Sequence, residues 1–439
     1  MRLFKSFTSW QKVQLFYIVF ELLNSCVYYQ FKIIPNIVII EFYAVITLLL
    51  FIKYYAQHIN ELKNIRFVCV MILLLLLVVA TIFRLPMYSN YKFSKAFKTI
   101  LVQFIWLLLL FSCPQVKTKS ELENSLVFKN LVFQMVVLFT FCVSIASLIF
   151  WIVVIPFGVD ITAYTSLDIV QDGRLCALYF NSDLAGITSL ISLLLSVSLL
   201  KQKIFMFSKI NRANVFIQIC ILILSGCRSA ILPFSLIVAY IIITYLHKKH
   251  PKFNVHKSVI FLCIAAIFLQ VILTILRMPN YEFSGKSFDA ILNKLTASRY
   301  SLWKEAILLS MSSPIWGNGL YTMVALAKLT LSPTSVIIKR NYDLCHNLFI
   351  AAFYSTGIIG LGSVIALTKS IVQQLKFFKS YIDPGVFQCD VFIIFSLFIY
   401  SLFNPAILFV TDFPAPVFWL LIGNIIIQNN YRMLINNCL

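Results

Sequence analysis

The feature that leaves this chain the fewest options is a succession of long apolar runs almost free of charge. Val68 to Ile82, Leu131 to Ile155, Val259 to Leu276 and Val391 to Val410 are the clearest. Lipid offers no partner to backbone N–H and C=O groups, so a spanning segment must be a helix of about 20 apolar residues or part of a closed barrel. The apolar residues run continuously instead of alternating, which argues against a barrel. Spans are expected near 13–29, 33–52, 67–83, 97–112, 131–155, 184–200, 215–225, 229–246, 258–276, 346–367, 389–409 and 414–428. The expected fold is all-α: a polytopic integral membrane protein with about twelve transmembrane helices and the lipid bilayer as its surroundings.

Composition agrees, with 61% hydrophobic and only 12% charged residues, against about 25% charged in soluble domains. The net charge of +20 raises the question of nucleic acid. Its distribution answers otherwise, because the basic residues gather in alternate short loops, as the positive-inside rule requires. One set holds Arg2, Lys5 and Lys12, then Lys53, Lys63 and Arg66, then Lys117, Lys119 and Lys129, then Lys201, Lys203, Lys209 and Arg212, then Lys248, Lys249, Lys252 and Lys257, then Lys369, Lys376 and Lys379, and last Arg432. That side reads as cytoplasmic, with both termini on it. The short loops opposite hold only Lys32, Arg84, Lys92, Lys95, Lys98, Arg174 and Arg228. The first apolar stretch lacks a small-residue cleavage site and leads straight into another span, so no cleavable leader is expected.

Residues 1–439 read as a single membrane domain. The inner loops are too short for a folded nucleotide-binding unit, no Gly-rich phosphate loop is present, and no internal repeat is visible. The outer face differs, with long connections at 156–183 and 277–345, and connections of that length are usually functional. The second carries helical patterns of its own. From Arg299, Leu302, Trp303, Ala306 and Ile307 fall on one stripe. Ser312-Ser313-Pro314 ends that helix, Trp316-Gly317-Asn318-Gly319 reads as a tight turn, and a second short helix follows from Leu320 to Leu331. Such helices suit a lid over a cavity open to the outside.

Few residues there have chemistry to offer. Arg228, in Ser225-Gly226-Cys227-Arg228-Ser229-Ala230, falls in so short a break that its guanidinium lies at the membrane boundary. A charge held there is a functional candidate, and its five donors suit a phosphate; the alternative is a snorkelling anchor. Arg299 and Arg174 could each be a solvated surface charge, and Asp172 could pair with Arg174. His346, in Asp343-Leu344-Cys345-His346-Asn347, opens a span at the cavity rim, where a neutral imidazole serves as a general base. Asp343 could orient it or cap the helix. Glu21 and Glu41 lie inside spans but face each other poorly as a proton relay, and Asn404-Pro405 reads as a kink. A disulfide among Cys176, Cys227 and Cys345 stays open, although no pairing spacing supports one. No His or Cys pair has zinc spacing, so no metal site is expected.

Taken in order, Arg299, Trp303, Pro314, Gly317, Gly319, His346-Asn347 and Gly357-Ile358-Ile359-Gly360 resemble the O-antigen ligase and O-antigen polymerase (Wzy-type) superfamily. So does the segment about Arg228, and the loop Gly173-Arg174 through Phe180-Asn181-Ser182-Asp183 looks like a third signature. The resemblance covers roughly residues 170 to 370. The family often has Asn-Pro-Asn where this chain has Asn181-Ser182-Asp183, and Ser or Thr at Cys227. It implies a GT-C-like membrane enzyme that takes a glycan from undecaprenyl pyrophosphate on the outer side of the bacterial inner membrane, with no metal and no cofactor. By the same resemblance Arg228 and Arg299 hold the pyrophosphate and His346 takes the acceptor's proton. Arg174, Gly317, Gly319, Asn347 and Trp303 contact substrate, and a chain-length regulator is a possible partner. A polymerase joins one lipid-linked repeat unit to another, and a ligase delivers the glycan to lipid A–core; the polymerase is the preferred expectation. A lipid-linked oligosaccharide flippase or exporter is the alternative of a different class.

Overall fold

The structure is a computed structural model that describes residues 7–27, 36–55, 65–112, 116–157, 170–171, 174–176, 178–179, 181–202, 207–249, 265, 288–296, 299–378, 384–411 and 413–438. The first helices are α1 (Ser9–Val27), α2 (Asn36–Tyr55), α3 (Ile65–Phe83) and α4 (Asn90–Ile105), the last running on into a π-turn at Trp106–Phe111. The long α5 (Lys119–Phe157) leads to a two-stranded antiparallel hairpin, β1 (Val170–Gln171) and β2 (Arg174–Leu175). Then come α6 (Ser182–Lys201), α7 (Ser208–Ser225) and α8 (Arg228–Lys249). Four short helices, α9 (Phe288–Leu295), α10 (Arg299–Ser310), α11 (Met323–Thr330) and α12 (Val336–Arg340), precede α13 (Leu348–Phe378), α14 (Pro384–Ser401) and α15 (Pro414–Cys438).

Among the described residues seven helical stretches are long and apolar enough to cross a membrane, belonging to α2, α3, α4 with its π-turn, α5, α6, α8 and α13; α14 supplies a shorter apolar stretch, Val386–Ser401. The spans expected at α1, α7 and α15 also coincide with helices, and the one near 258–276 lies outside the described residues except Ala265. α7 is too polar to qualify because its amides face inward. Gln134 and Asn211 exchange hydrogen bonds at 3.0 and 3.1 Å, Asn214 donates to Ser192 and Ser196 at 2.9 and 2.8 Å, and Gln218 donates to Ser144 at 3.0 Å. This ladder binds α5, α6 and α7 together, as interhelical side-chain hydrogen bonds do within a bilayer.

Two expectations are corrected. Asn404-Pro405 is not a kink within a span. α14 ends at Ser401, and the chain then runs without regular structure through a buried path from Pro405 to Val410. Irregular backbone survives at such a place only if protein satisfies it, and here Gln103 donates to the Val410 carbonyl and Trp419 to the Ile407 carbonyl, both at 2.8 Å. The stripe on α10 is also rotated. Its buried side chains are Leu302, Ala306, Leu309 and Ser310, whereas Ile307 is exposed, because each residue turns the helix by about 100° and the inner row is the one that starts from Leu302. Glu21 takes the Tyr17 hydroxyl at 2.5 Å, Glu41 lies on the exposed side of α2, and Cys176, Cys227 and Cys345 are free thiols.

The short helices are stitched to α13 by backbone. Gly357 interrupts α13 with φ 68° and ψ −167°, and the turn after α10 supplies the missing partners. Pro314 accepts from Ile358 N at 2.8 Å, while Asn318 N and Gly319 N donate to the Tyr354 and Ser355 carbonyls at 2.7 and 3.1 Å. Both sides of the joint need glycine. A Cβ on Gly357 would fall 2.0 Å from the Ile315 oxygen, and one on Gly317 (φ 82°) would fall 2.4 Å from Ser355 and Thr356 backbone. Asn318, fully buried, completes the joint by accepting from Arg84 at 2.6 Å and Ser312 at 2.9 Å.

Candidate functional site

Three separate parts of the chain meet at one carboxylate. Asn181 caps α6 by accepting from Leu184 N at 2.7 Å, which sets Asp183 in the first turn, where the helix dipole favours an anion. Beside it, β2 carries Arg174 over a small apolar cluster of Val143, Leu175, Tyr179, Ala185 and Ile221. The start of α10 brings Arg299, and the irregular segment after α14 brings Asn404. Arg174 Nη1 and Arg299 Nη2 lie 3.8 and 3.7 Å from the two oxygens of Asp183. These are ion-pair distances, too long for hydrogen bonds, so the carboxylate orients the guanidiniums without locking them. Among the described residues, Arg174 and Arg299 thus share this one carboxylate.

His346 joins this cluster through Asn404. The Asn404 amide donates from Nδ2 to Asp183 at 3.2 Å and accepts at Oδ1 from Arg299 Nη2 at 3.4 Å. Its nitrogen therefore faces the carboxylate and its oxygen faces the guanidinium. His346 Nδ1 stands 2.8 Å from that same oxygen. An amide oxygen only accepts, so the imidazole proton sits on Nδ1 and Nε2 keeps its lone pair. Asp183 thus sets the amide, and the amide sets the tautomer. Burial pushes the imidazole below its ordinary 6.5; the bond to Asn404 and the charge of Asp183 pull upward, the charge of Arg299 downward. The ring is neutral near pH 7, with a proton-accepting nitrogen. Its backbone lies in the left-handed region, φ 49°, which a non-glycine residue adopts at some cost, and Tyr342 packs edge-on against the ring at 5.3 Å.

The remaining sequence candidates fall around this centre in different ways. Arg228 opens α8 directly after Cys227, whose thiol donates to the Asp183 carbonyl at 3.6 Å, so this helix start abuts the cluster. Burial pushes the Cys227 thiol up to about 12, which leaves it a small neutral group and no nucleophile. Asn347 spends its side chain on structure: Oδ1 accepts from Phe349 N and Ile350 N at 3.0 and 3.1 Å, and Nδ2 donates to the Leu402 carbonyl at 2.9 Å. Gly317 and Gly319 are buried, and the close approach they permit is to the protein's own backbone. Trp303, next to the buried row of α10, has an indole N–H that is buried without a hydrogen-bond partner among the described residues. Asp343 neither orients His346 nor caps α13; it pairs with Lys92 at 2.9 Å. Asp172 and Gly173 lie outside the described residues.

Asn404 and Asp183 complete this cluster, although neither stands out as a chemical candidate in the sequence. The only signal for Asn404 was an amide in an otherwise apolar stretch, and Asp183 stood where the resembled family has a different residue. Among the described residues no three His, Cys, Asp or Glu side chains come together as a metal-ligand set.

A polytopic helical membrane protein with a neutral histidine and paired arginines around one carboxylate is the class that fold and site define. Residues 213–365 match the family model for O-Antigen ligase, which supports the O-antigen ligase/polymerase superfamily and, with it, a membrane enzyme of O-antigen processing. The match takes in Arg228, Arg299, Trp303, Gly317, Gly319, His346 and Asn347, while Arg174, Asp183 and Asn404 lie beyond its ends. No curated protein matches the chain.

Proposed function

We propose that this protein polymerises oligosaccharide repeat units, transferring a glycan from undecaprenyl pyrophosphate to a hydroxyl of another lipid-linked unit. In this reading it is a GT-C-like enzyme of the bacterial inner membrane that crosses the bilayer about twelve times, with both termini in the cytoplasm and the site on the periplasmic face. The observation that carries the proposal is the chain of contacts from Asp183 through Asn404 to His346, with Arg299 on the same amide oxygen.

The chemistry follows from that arrangement. The acceptor hydroxyl donates to His346 Nε2, its oxygen attacks the anomeric carbon, and the bond from that carbon to the phosphate oxygen breaks. The proton passes to Nε2, and the electron pair of the broken bond leaves on the pyrophosphate. Polyprenyl pyrophosphate is a good leaving group once its charge is held, so positioned cations matter more than an acid. Arg299, Arg174 and Arg228 fill that role here, each charge-assisted hydrogen bond contributing about 1.5–3 kcal/mol. Trp303 flanks the glycan, whereas Gly317, Gly319 and Asn347 act by holding the backbone around it.

Purified protein, supplied with undecaprenyl-pyrophosphate repeat units in detergent, is expected to yield a ladder of lipid-linked products that His346→Ala abolishes. A second reading is favoured by the family match, whose name is that of a ligase. If no ladder forms but glycan passes to added lipid A–core, the protein is a ligase. If neither product forms, the transfer reading fails and a lipid-linked oligosaccharide exporter takes its place.

A further inference from the structure

α10 has an exposed face whose polarity changes along its length. Near its start, Lys304 pairs with Asp289 of α9 at 3.2 Å, and both are well exposed. From the next turn onward the exposed side chains are Ile307, Leu308 and Met311, at 42, 59 and 58%, followed by Ser312, whose hydroxyl is turned to the Leu309 carbonyl and the Asn318 side chain. The turn that follows adds Ile315 and Trp316, each 51% exposed. Seven residues separate Lys304 from Met311, roughly 10 Å of helix. A shallow cavity of about 520 Å³ follows the same face, from Asp289 and Lys304 at one end to Leu308 and Met311 at the other. A water-facing lid has no reason to expose such a run, and a contiguous apolar patch of this kind marks a contact surface.

Its neighbour says which contact. The hydrogen bond from Ile358 N to the Pro314 carbonyl, at 2.8 Å, fixes the Ile315–Trp316 turn beside α13. There α13 exposes Ile358 and Ile359, at 55 and 39%, within a stretch long and apolar enough to cross the membrane. The patch on α10 therefore continues a lipid-facing surface. We infer that the C-terminal half of α10 and the Pro314–Trp316 turn are seated among the acyl chains of the leaflet on the site's side, with Asp289 and Lys304 at headgroup level. The roughly 10 Å between them suits an amphipathic helix tilted into the headgroup–acyl boundary, and tryptophan is the residue that favours that boundary. Arg299 starts this helix, so the seat also fixes the depth at which the site meets a lipid-borne diphosphate.

Trp316 is one of six tryptophans, so its own emission is the difference between wild type and Trp316→Phe. Both full-length proteins would be reconstituted into phosphatidylethanolamine–phosphatidylglycerol vesicles, with and without lipids brominated on the acyl chain. The expected result is that the Trp316 emission is quenched by the brominated lipids and spared by iodide in the surrounding water. Leu308→Trp, built on Trp316→Phe, provides a second reporter about two turns up and is expected to behave alike. Quenching by iodide and not by bromine would mean a water-facing lid. Silence toward both would mean that protein, such as a second copy of the chain, covers the patch. Either result overturns the inference.

Discussion

Asp183 holds two guanidiniums and one amide at once, and each contact governs a different property of the site. Its hydrogen bond to Asn404 sets the histidine tautomer, and its charge raises the imidazole's proton affinity. The two functions separate by substitution. Asp183→Asn keeps an acceptor for the Asn404 amide but loses the charge, so turnover should persist and its acid limb should move to lower pH. Asp183→Ala loses both, and turnover should fall by about tenfold to a hundredfold, the effect of an unpositioned base; the full pH profile of kcat distinguishes the two variants. Arg299→Lys keeps the charge but removes the planar fork. A loss on the order of tenfold to a hundredfold in kcat, with KM little changed, is expected if the guanidinium acts mainly on the departing pyrophosphate.

The joint between α13 and the turn after α10 depends on two glycines because two backbones meet where a side chain would stand. Gly357→Ala places a Cβ against the Ile315 carbonyl at a positive φ, and it should cost at least about 2–3 kcal/mol. Gly362 lies in the same helix, and a Cβ added there would meet nothing within 4 Å, so Gly362→Ala should be neutral or stabilising by up to about 1 kcal/mol. Thermal unfolding in one detergent compares the pair, and equal losses in both would show that the joint contributes nothing special. The membrane-length helices were legible from apolar length, α10 from its periodic stripe and the turn after it from Gly317-Asn318-Gly319. The rotation of α10 and the end of α14 at Ser401 were not. Both depend on which neighbour a helix packs against, and hydropathy does not carry that information.

A bundle in lipid must satisfy its buried charges internally, and Lys129 with Asp390 is the clearest case, at 3.2 Å with side chains 4 and 1% exposed. Removing one partner strands the other, so Lys129→Ala should cost about 3–5 kcal/mol, whereas Lys129→Met with Asp390→Leu should cost much less. Unfolding midpoints of the single and double variants test this, and a double variant as weak as the single one would contradict it. The pair escaped notice in the sequence because Lys129 counts there as one more basic residue on the inner side. The site shows the same limit. His346 stood out by residue type and position, and Arg299 and Arg174 through the resemblance, but the amide between them comes from a segment more than fifty residues away from His346 in sequence. Only the assembled fold makes that amide a partner.

The proposed glycan transfer assigns His346 the part of a neutral base whose proton affinity is set through Asn404. The most direct measurement is the rate of glycan transfer against pH for wild type and Asn404→Asp. In wild type the rate should fall with acid below the ordinary imidazole value of about 6.5, because burial holds the folded-state value down. A carboxylate at position 404 favours the protonated ring, so the limb should rise by about 1 unit or more. A limb that stays in place in Asn404→Asp, or a wild-type rate indifferent to acid through that range, would contradict the assignment.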